Sequence, residues 1–147
     1  ERQADINIKT FDTFQKKINL IKKQVTDCLE QHIGKKIVGY GASSTSTTLI
    51  SHFELHRYLS YLVDDNPGKI GTYSPGYHIP VYSPEKLKKE QPDIILILAW
   101  RFKDEILKKI SNLASTILTP LPSVEIGSLA HQEGEISLER TTMYSIR

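Results

Sequence analysis

Cysteine is nearly absent. Cys28 stands alone, which excludes an internal disulfide framework and every metal site built on several cysteines. Long apolar runs are missing as well. The longest, Ile94 to Trp100, falls far short of the roughly 20 residues that cross a bilayer, so no membrane partner is expected. Neither sign of charge dominates: 19 Lys and Arg against 17 Asp and Glu leave a net +2. The basic residues are scattered, so the chain carries no electrostatic footprint for nucleic acid. The first ten residues are mostly polar or charged and lack the apolar core of a signal peptide. Methionine occurs once, as Met143, and the chain opens on Glu1, so it is expected to be a piece of something longer. No internal repeat is visible.

What is present suffices for one folded domain. The 147 residues are 39% hydrophobic and 24% charged, which argues against disorder. A chain of this length buries roughly 68–70% of the surface its unfolded form exposes.

Phe11, Phe14, Ile18, Ile21, Val25 and Cys28 recur at steps of three and four. That spacing predicts one long amphipathic helix, ended by Gly34 and packed on its own domain rather than on a partner helix. After Gly34 the period changes. Short buried strands are expected over Lys36–Tyr40, Tyr58–Val63, Asp93–Ala99 and Thr116–Leu118. Helices are expected from Thr48 to about His56, from Ser83-Pro84-Glu85 to Pro92, and from Lys103 to Leu113. Asp64-Asp65-Asn66-Pro67-Gly68 is a turn, and Lys69 to Tyr82 is a loop rich in Gly, Pro and Tyr. Strands separated by helices imply parallel pairing through right-handed crossovers, hence a doubly wound α/β sheet in three layers, α/β/α. Residues 128–147 read as a tail with room for one short strand.

Ligands of open parallel sheets bind beyond the carboxyl ends of the strands. Those ends read Gly39-Tyr40-Gly41-Ala42-Ser43-Ser44, Asp64-Asp65-Asn66 and Trp100-Arg101, three sets of small or polar residues on one edge. The Gly39-x-Gly41 turn lets a backbone approach a phosphate, and the helix behind it offers unpaired amides and a positive dipole end. Asp64 and Asp65 stand where an acid in such folds accepts a ribose hydroxyl. Ser44 occupies the place of the third glycine of a full dinucleotide fingerprint. A tight turn serving only strand-to-helix packing therefore accounts for the same residues equally well. His52 and His56 have the spacing of two zinc ligands on one helical face, but no third ligand accompanies them, and no metal is expected. His78 lies in the Gly/Pro loop, as a hydrogen-bond donor to a ligand or as a loop histidine satisfied by backbone. Trp100 is either a core aromatic or a stacking wall for a base or sugar. No nucleophile, base and acid stand in a catalytic order, so no catalytic residue is expected in this chain.

Four motifs occur in order: Gly39-Tyr40-Gly41-Ala42-Ser43-Ser44, Val63-Asp64-Asp65-Asn66-Pro67, Tyr73-x-Pro75-Gly76-x-His78-Ile79-Pro80 and Leu98-Ala99-Trp100-x-Phe102-Lys103-Asp104-Glu105-Ile106. Together, over about Ile37 to Pro122, they resemble the C-terminal domain of sugar C-methyltransferases, which methylate a carbon of nucleotide-linked deoxysugars. The resemblance implies a Rossmann-like lobe that follows a methyl-donor domain holding S-adenosylmethionine and a zinc-binding segment. It implies no cofactor in this chain, and a cytoplasmic enzyme. The division expected is a helix over 1–35 linking to the upstream methyltransferase domain, a Rossmann-like domain over 36–127, and a tail over 128–147. The lobe would bind the nucleotide-linked sugar through Gly41, Ala42, Ser43, Ser44, Asp64, Asp65, Asn66, His78, Trp100 and Arg101. Two positions depart from the family pattern. Thr45 and Ser46 replace its Lys-Gly, and Arg101 stands where Asn is usual after the Trp. The alternative function is a non-catalytic Rossmann-like module for nucleotide binding or assembly.

Overall fold

The structure, a computed structural model, describes residues 8–132 and 135–144. Helix α1 (Ile8–Glu30) leads into strand β1 (Ile37–Tyr40), helix α2 (Ser44–His52) and strand β2 (Leu59–Val63). Strand β3 (Val81–Tyr82), helix α3 (Glu85–Glu90), strand β4 (Ile94–Ile97), helix α4 (Lys103–Lys109) and strand β5 (Thr116–Thr119) follow. Strands β6 (Val124–Gln132) and β7 (Glu135–Tyr144) complete the sheet, whose spatial order is β3-β2-β1-β4-β5-β6-β7. The first five strands in that order pair in parallel. This is the doubly wound arrangement, with the reversal of strand order between β1 and β4.

Alternating side chains send the central strands into two cores. Ile37, Leu62, Leu96 and Leu118 pack with Val25 and Leu29 of α1, with Leu49 and Ile50 of α2 and with Phe53, which caps it. Val38, Tyr61, Val63, Ile95, Ile97 and Ile117 point the other way, onto Leu87 of α3, Ile106 and Leu107 of α4 and Ile110 just past its end. Helices cover both faces, which is why Ile94 to Leu98 is buried throughout.

Several expectations need correction. The described run over 128–132 and 135–144 is not a tail with one short strand. It continues β6, which β7 pairs antiparallel, so the sheet is mixed. Val124 and Ile126 stand at even positions and Leu129 at an odd one, and the register slips between Ile126 and Gly127. A bulge of that kind breaks the period of two by which a strand is recognised. The Gly/Pro loop contains β3, too short for any periodicity to reveal. Helix α2 begins earlier than Thr48 and stops at His52, where Phe53 caps it and Glu54 takes a left-handed backbone with φ +56°. His52 and His56 therefore do not share a helical face. Helix α1 lays only its C-terminal half on the domain: Ile21, Val25, Cys28 and Leu29 are buried, whereas Phe11 and Phe14 remain 58% and 61% exposed.

Candidate functional site

At the reversal point α2 leaves β1 toward one face of the sheet and α4 follows β4 toward the other. The carboxyl ends of β1 and β4 consequently part, and a cleft of about 480 Å³ opens between the loops. Gly41, Ser43, Asp64, Asp65, Asn66, Trp100 and Arg101 line it, so seven of the ten residues named from the sequence converge. Ala42 stands in the adjoining turn and Ser44 opens α2, neither of them in the wall. His78 is exposed in the Gly/Pro loop with a left-handed backbone, its amide bonded to the Ser74 carbonyl, and is not among the lining residues.

The glycine turn is built by packing. Gly41 has φ +113°, and a Cβ there would lie 2.8 Å from the Ala99 Cβ and 2.9 Å from the Ala99 amide nitrogen. A Cβ on Gly39 would meet Leu62 and Leu98 side chains at 2.6 and 2.7 Å. The two amides that a phosphate cradle would use first are already taken. Gly41 donates to the Val63 carbonyl at 2.8 Å, and Ala42 donates to Asp64 Oδ2 at 2.7 Å. The packing reading thus accounts for Gly39, Gly41 and Ala42. The amides of Ser44 and Thr45, in the first turn of α2, have no acceptor within the helix, and Thr45 lines the cleft. Ser43 caps that helix, its Oγ accepting from the Ser46 amide at 3.2 Å. Ser46 is fully buried with its Oγ 3.1 Å from the Ser43 Oγ. Only a small residue fits there, whereas Thr45 opens onto the cleft.

Beyond β2, Asp64 Oδ1 accepts from the Asn66 amide at 2.8 Å, and Lys69 Nζ reaches the Ala42 carbonyl at 3.0 Å. Asp65 receives the Tyr40 hydroxyl at 3.1 Å on each oxygen and Lys109 Nζ at 2.9 Å. Burial, and after it the neighbouring Asp65 charge, pushes the Tyr40 phenol well above its usual range, so it stays a proton donor. On the opposite wall Trp100 is half-buried, and the Arg101 guanidinium lies 5.2 Å from its ring centre. Cations and acids balance along the walls: Lys69, Arg101 and Lys109 against Asp64, Asp65 and Glu105. Lys69 lies 3.9 Å from Asp64 Oδ2 and Lys109 pairs with Asp65, while Arg101 has no carboxylate within ion-pair distance among the described residues. Its charge is the one available to an incoming anion.

Tyr40, Thr45, Lys69, Glu105 and Lys109 also line the cleft, although none is among the ten binding residues named from the sequence. One signal existed. Arg101, Glu105 and Lys109 recur every four residues, as do Phe102 and Ile106, which marks one helical face turned toward the cleft. Among the described residues no three His, Cys, Asp or Glu side chains gather as a metal site, and no helix is long and apolar enough to cross a membrane. His56 stacks on Tyr77 with ring centres 4.0 Å apart.

A family model described as the C-methyltransferase C-terminal domain matches residues 1–122. The C-methyltransferase NovU of Streptomyces niveus is 31% identical over 97 residues, covering 63% of this chain and 23% of that protein. The chain thus spans less than a quarter of the length of that relative. A solved structure of UDP-D-quinovosamine 4-dehydrogenase from Vibrio fischeri aligns with 73% of this chain and 94% of its own, at TM-score 0.46 and 17% identity. The strand order, rather than this likeness, identifies the fold. With the family model covering most of its length, the chain belongs to the C-methyltransferase C-terminal domain family.

Proposed function

We propose that this chain is the nucleotide-sugar-binding lobe of an S-adenosylmethionine-dependent sugar C-methyltransferase, working in the cytoplasm beside a methyl-donor domain outside the chain. The observation that carries the reading is the cleft at the β1–β4 reversal, lined by three of the four motifs that resemble the family. In such a reaction a base removes a proton beside a sugar ketone, and the resulting enolate attacks the methyl group of the donor. No residue here is assigned to either step. This lobe holds the nucleotide end, with Arg101 and the Ser44 and Thr45 amides toward the diphosphate and Trp100 as a stacking wall. Arg101 supplies a charge that Thr45, in place of a lysine, does not.

A half-open cleft leaves its ligand partly wet, so affinity should lie between about millimolar and tens of micromolar, roughly 4–7 kcal/mol. Trp100 is the single tryptophan of the chain and lines the cleft, so its fluorescence reports occupancy directly. Titration with UDP-glucose should change that emission saturably, and Arg101→Ala should weaken binding by about tenfold or more. An unchanged emission up to the solubility limit overturns the proposal. A second reading, an assembly module, draws on one observation: Ile8, Phe11 and Phe14 expose 77%, 58% and 61% of their surface along one helix. A silent cleft in a chain that self-associates through that helix would favour it.

A further inference from the structure

Asp64 and Asp65 are neighbours in sequence, yet their partners differ. Both oxygens of Asp64 accept backbone amides, from Ala42 and Asn66, so this carboxylate ties the β1–α2 turn to the loop after β2. Asp65 is bonded to side chains instead. The Tyr40 hydroxyl stands 3.1 Å from each of its oxygens, and Lys109 Nζ lies 2.9 Å from Oδ2. Tyr40 is 1% exposed, whereas the side chains of Asp65 and Lys109 are 47% and 52% exposed. A second groove, of about 210 Å³ between α3 and α4, ends on the same Tyr40, Asp65 and Lys109. The pair therefore stands at the junction of the two spaces.

A half-exposed carboxylate beside a half-exposed ammonium presents a hydrogen-bond acceptor next to a donor, at about the spacing of two hydroxyls on adjacent ring carbons. One hydroxyl of such a diol donates to Asp65, and the oxygen of the other accepts from Lys109. A phosphate does not match this pair. Asp65 already offsets the Lys109 charge, and an anion placed there would meet the carboxylate. Tyr40 points its hydroxyl at both Asp65 oxygens from below, which fixes the carboxylate plane before a ligand arrives. A surface ion pair contributes little by itself, so Lys109 shifts toward a ligand oxygen at small cost.

Resting on the nucleotide-sugar reading above, we infer that the Asp65–Lys109 pair is the receptor for a vicinal diol of the ligand, with Tyr40 its positioning residue. The diol belongs to a ribose or to a glycosyl ring, and three probes separate these sources. UDP and dUDP differ only at the ribose diol, while UDP-glucose adds a glycosyl diol to UDP. Their affinities for this chain are measured by calorimetry, for the unaltered protein and for Asp65→Asn, Lys109→Gln and Tyr40→Phe. A ribose diol makes UDP bind about tenfold tighter than dUDP, and Asp65→Asn brings the two within about twofold. A glycosyl diol leaves UDP and dUDP equal and gives UDP-glucose an advantage that Asp65→Asn removes. Either result supports the inference. In Tyr40→Phe the same ratio falls, which a purely structural tyrosine would not cause. Should Asp65→Asn fail to fold, the surface change Lys109→Gln gives the same comparison. Probes that bind with no diol preference, or with one that survives both substitutions, overturn the diol receptor and leave the nucleotide site standing. Absence of binding by all three overturns both.

Discussion

Gly41 holds a backbone conformation that side chains rarely adopt, and it does so against the Ala99 backbone, which cannot move aside. Strain and overlap act together there, so Gly41→Ala is expected to destabilise the protein by about 2–4 kcal/mol in urea denaturation. A loss under about 0.5 kcal/mol would show that the turn relaxes freely. Ser43 is a different case. Its Oγ satisfies one otherwise orphaned amide at the start of α2, and Ser43→Ala should cost about 1 kcal/mol. Ser43 also lines the cleft, so that loss should be accompanied by weaker ligand binding as the first turn of α2 frays. At this scale the sequence announces the acids, the glycines and Trp100, because turn chemistry and strand ends have local signatures. It conceals Lys69 and Lys109, whose long side chains reach back from elements 27 and 44 residues away from their partners.

Among the elements, α1 and α3 make separate predictions. Val25 and Leu29 of α1 are fully buried, so truncating either to alanine should cost about 2–4 kcal/mol. Phe11→Ala and Phe14→Ala, on the exposed half of the same helix, should stay within about 0.5 kcal/mol in the same denaturation measurement. An equal cost along the whole stripe would contradict the half-docked helix. On α3, hydrogen bonds from Lys86 and then Lys36 hold the Glu90 carboxyl down at about 2, against an ordinary 4.5. A carboxyl whose value is depressed by folding contributes stability above its ordinary range and loses it as pH falls. That contribution is complete above about pH 4.5 and declines toward pH 2. Glu90→Gln should flatten the acid limb of the stability curve in that window and leave its shape near neutrality unchanged. An acid limb identical in the two proteins would sink this assignment. The helix period and the apolar run Ile94 to Leu98 make most elements legible from sequence. The docked fraction of α1 is not legible, because an apolar stripe states which face is apolar and not how far the domain extends beneath it.

For the molecule as a whole, the order β2-β1-β4-β5 follows from alternating strands and helices, since right-handed crossovers leave few alternatives, whereas β3 joins the edge of β2 through a loop without a helix. The reversal between β1 and β4 then dictates where a cleft must open, which explains how most of the site could be foreseen. The antiparallel β6–β7 addition could not, because its bulge erases the alternation. If the chain is a nucleotide-sugar-binding lobe, this reversal-point cleft is where the ligand binds. The most direct test is an NMR titration of the ¹⁵N-labelled chain with UDP-glucose. The amides of Thr45, Asp65 and Trp100 should shift together along one saturable curve, since they border one space at the carboxyl ends of adjoining strands. Shifts confined to the exposed half of α1, or no shifts up to the solubility limit, would contradict it.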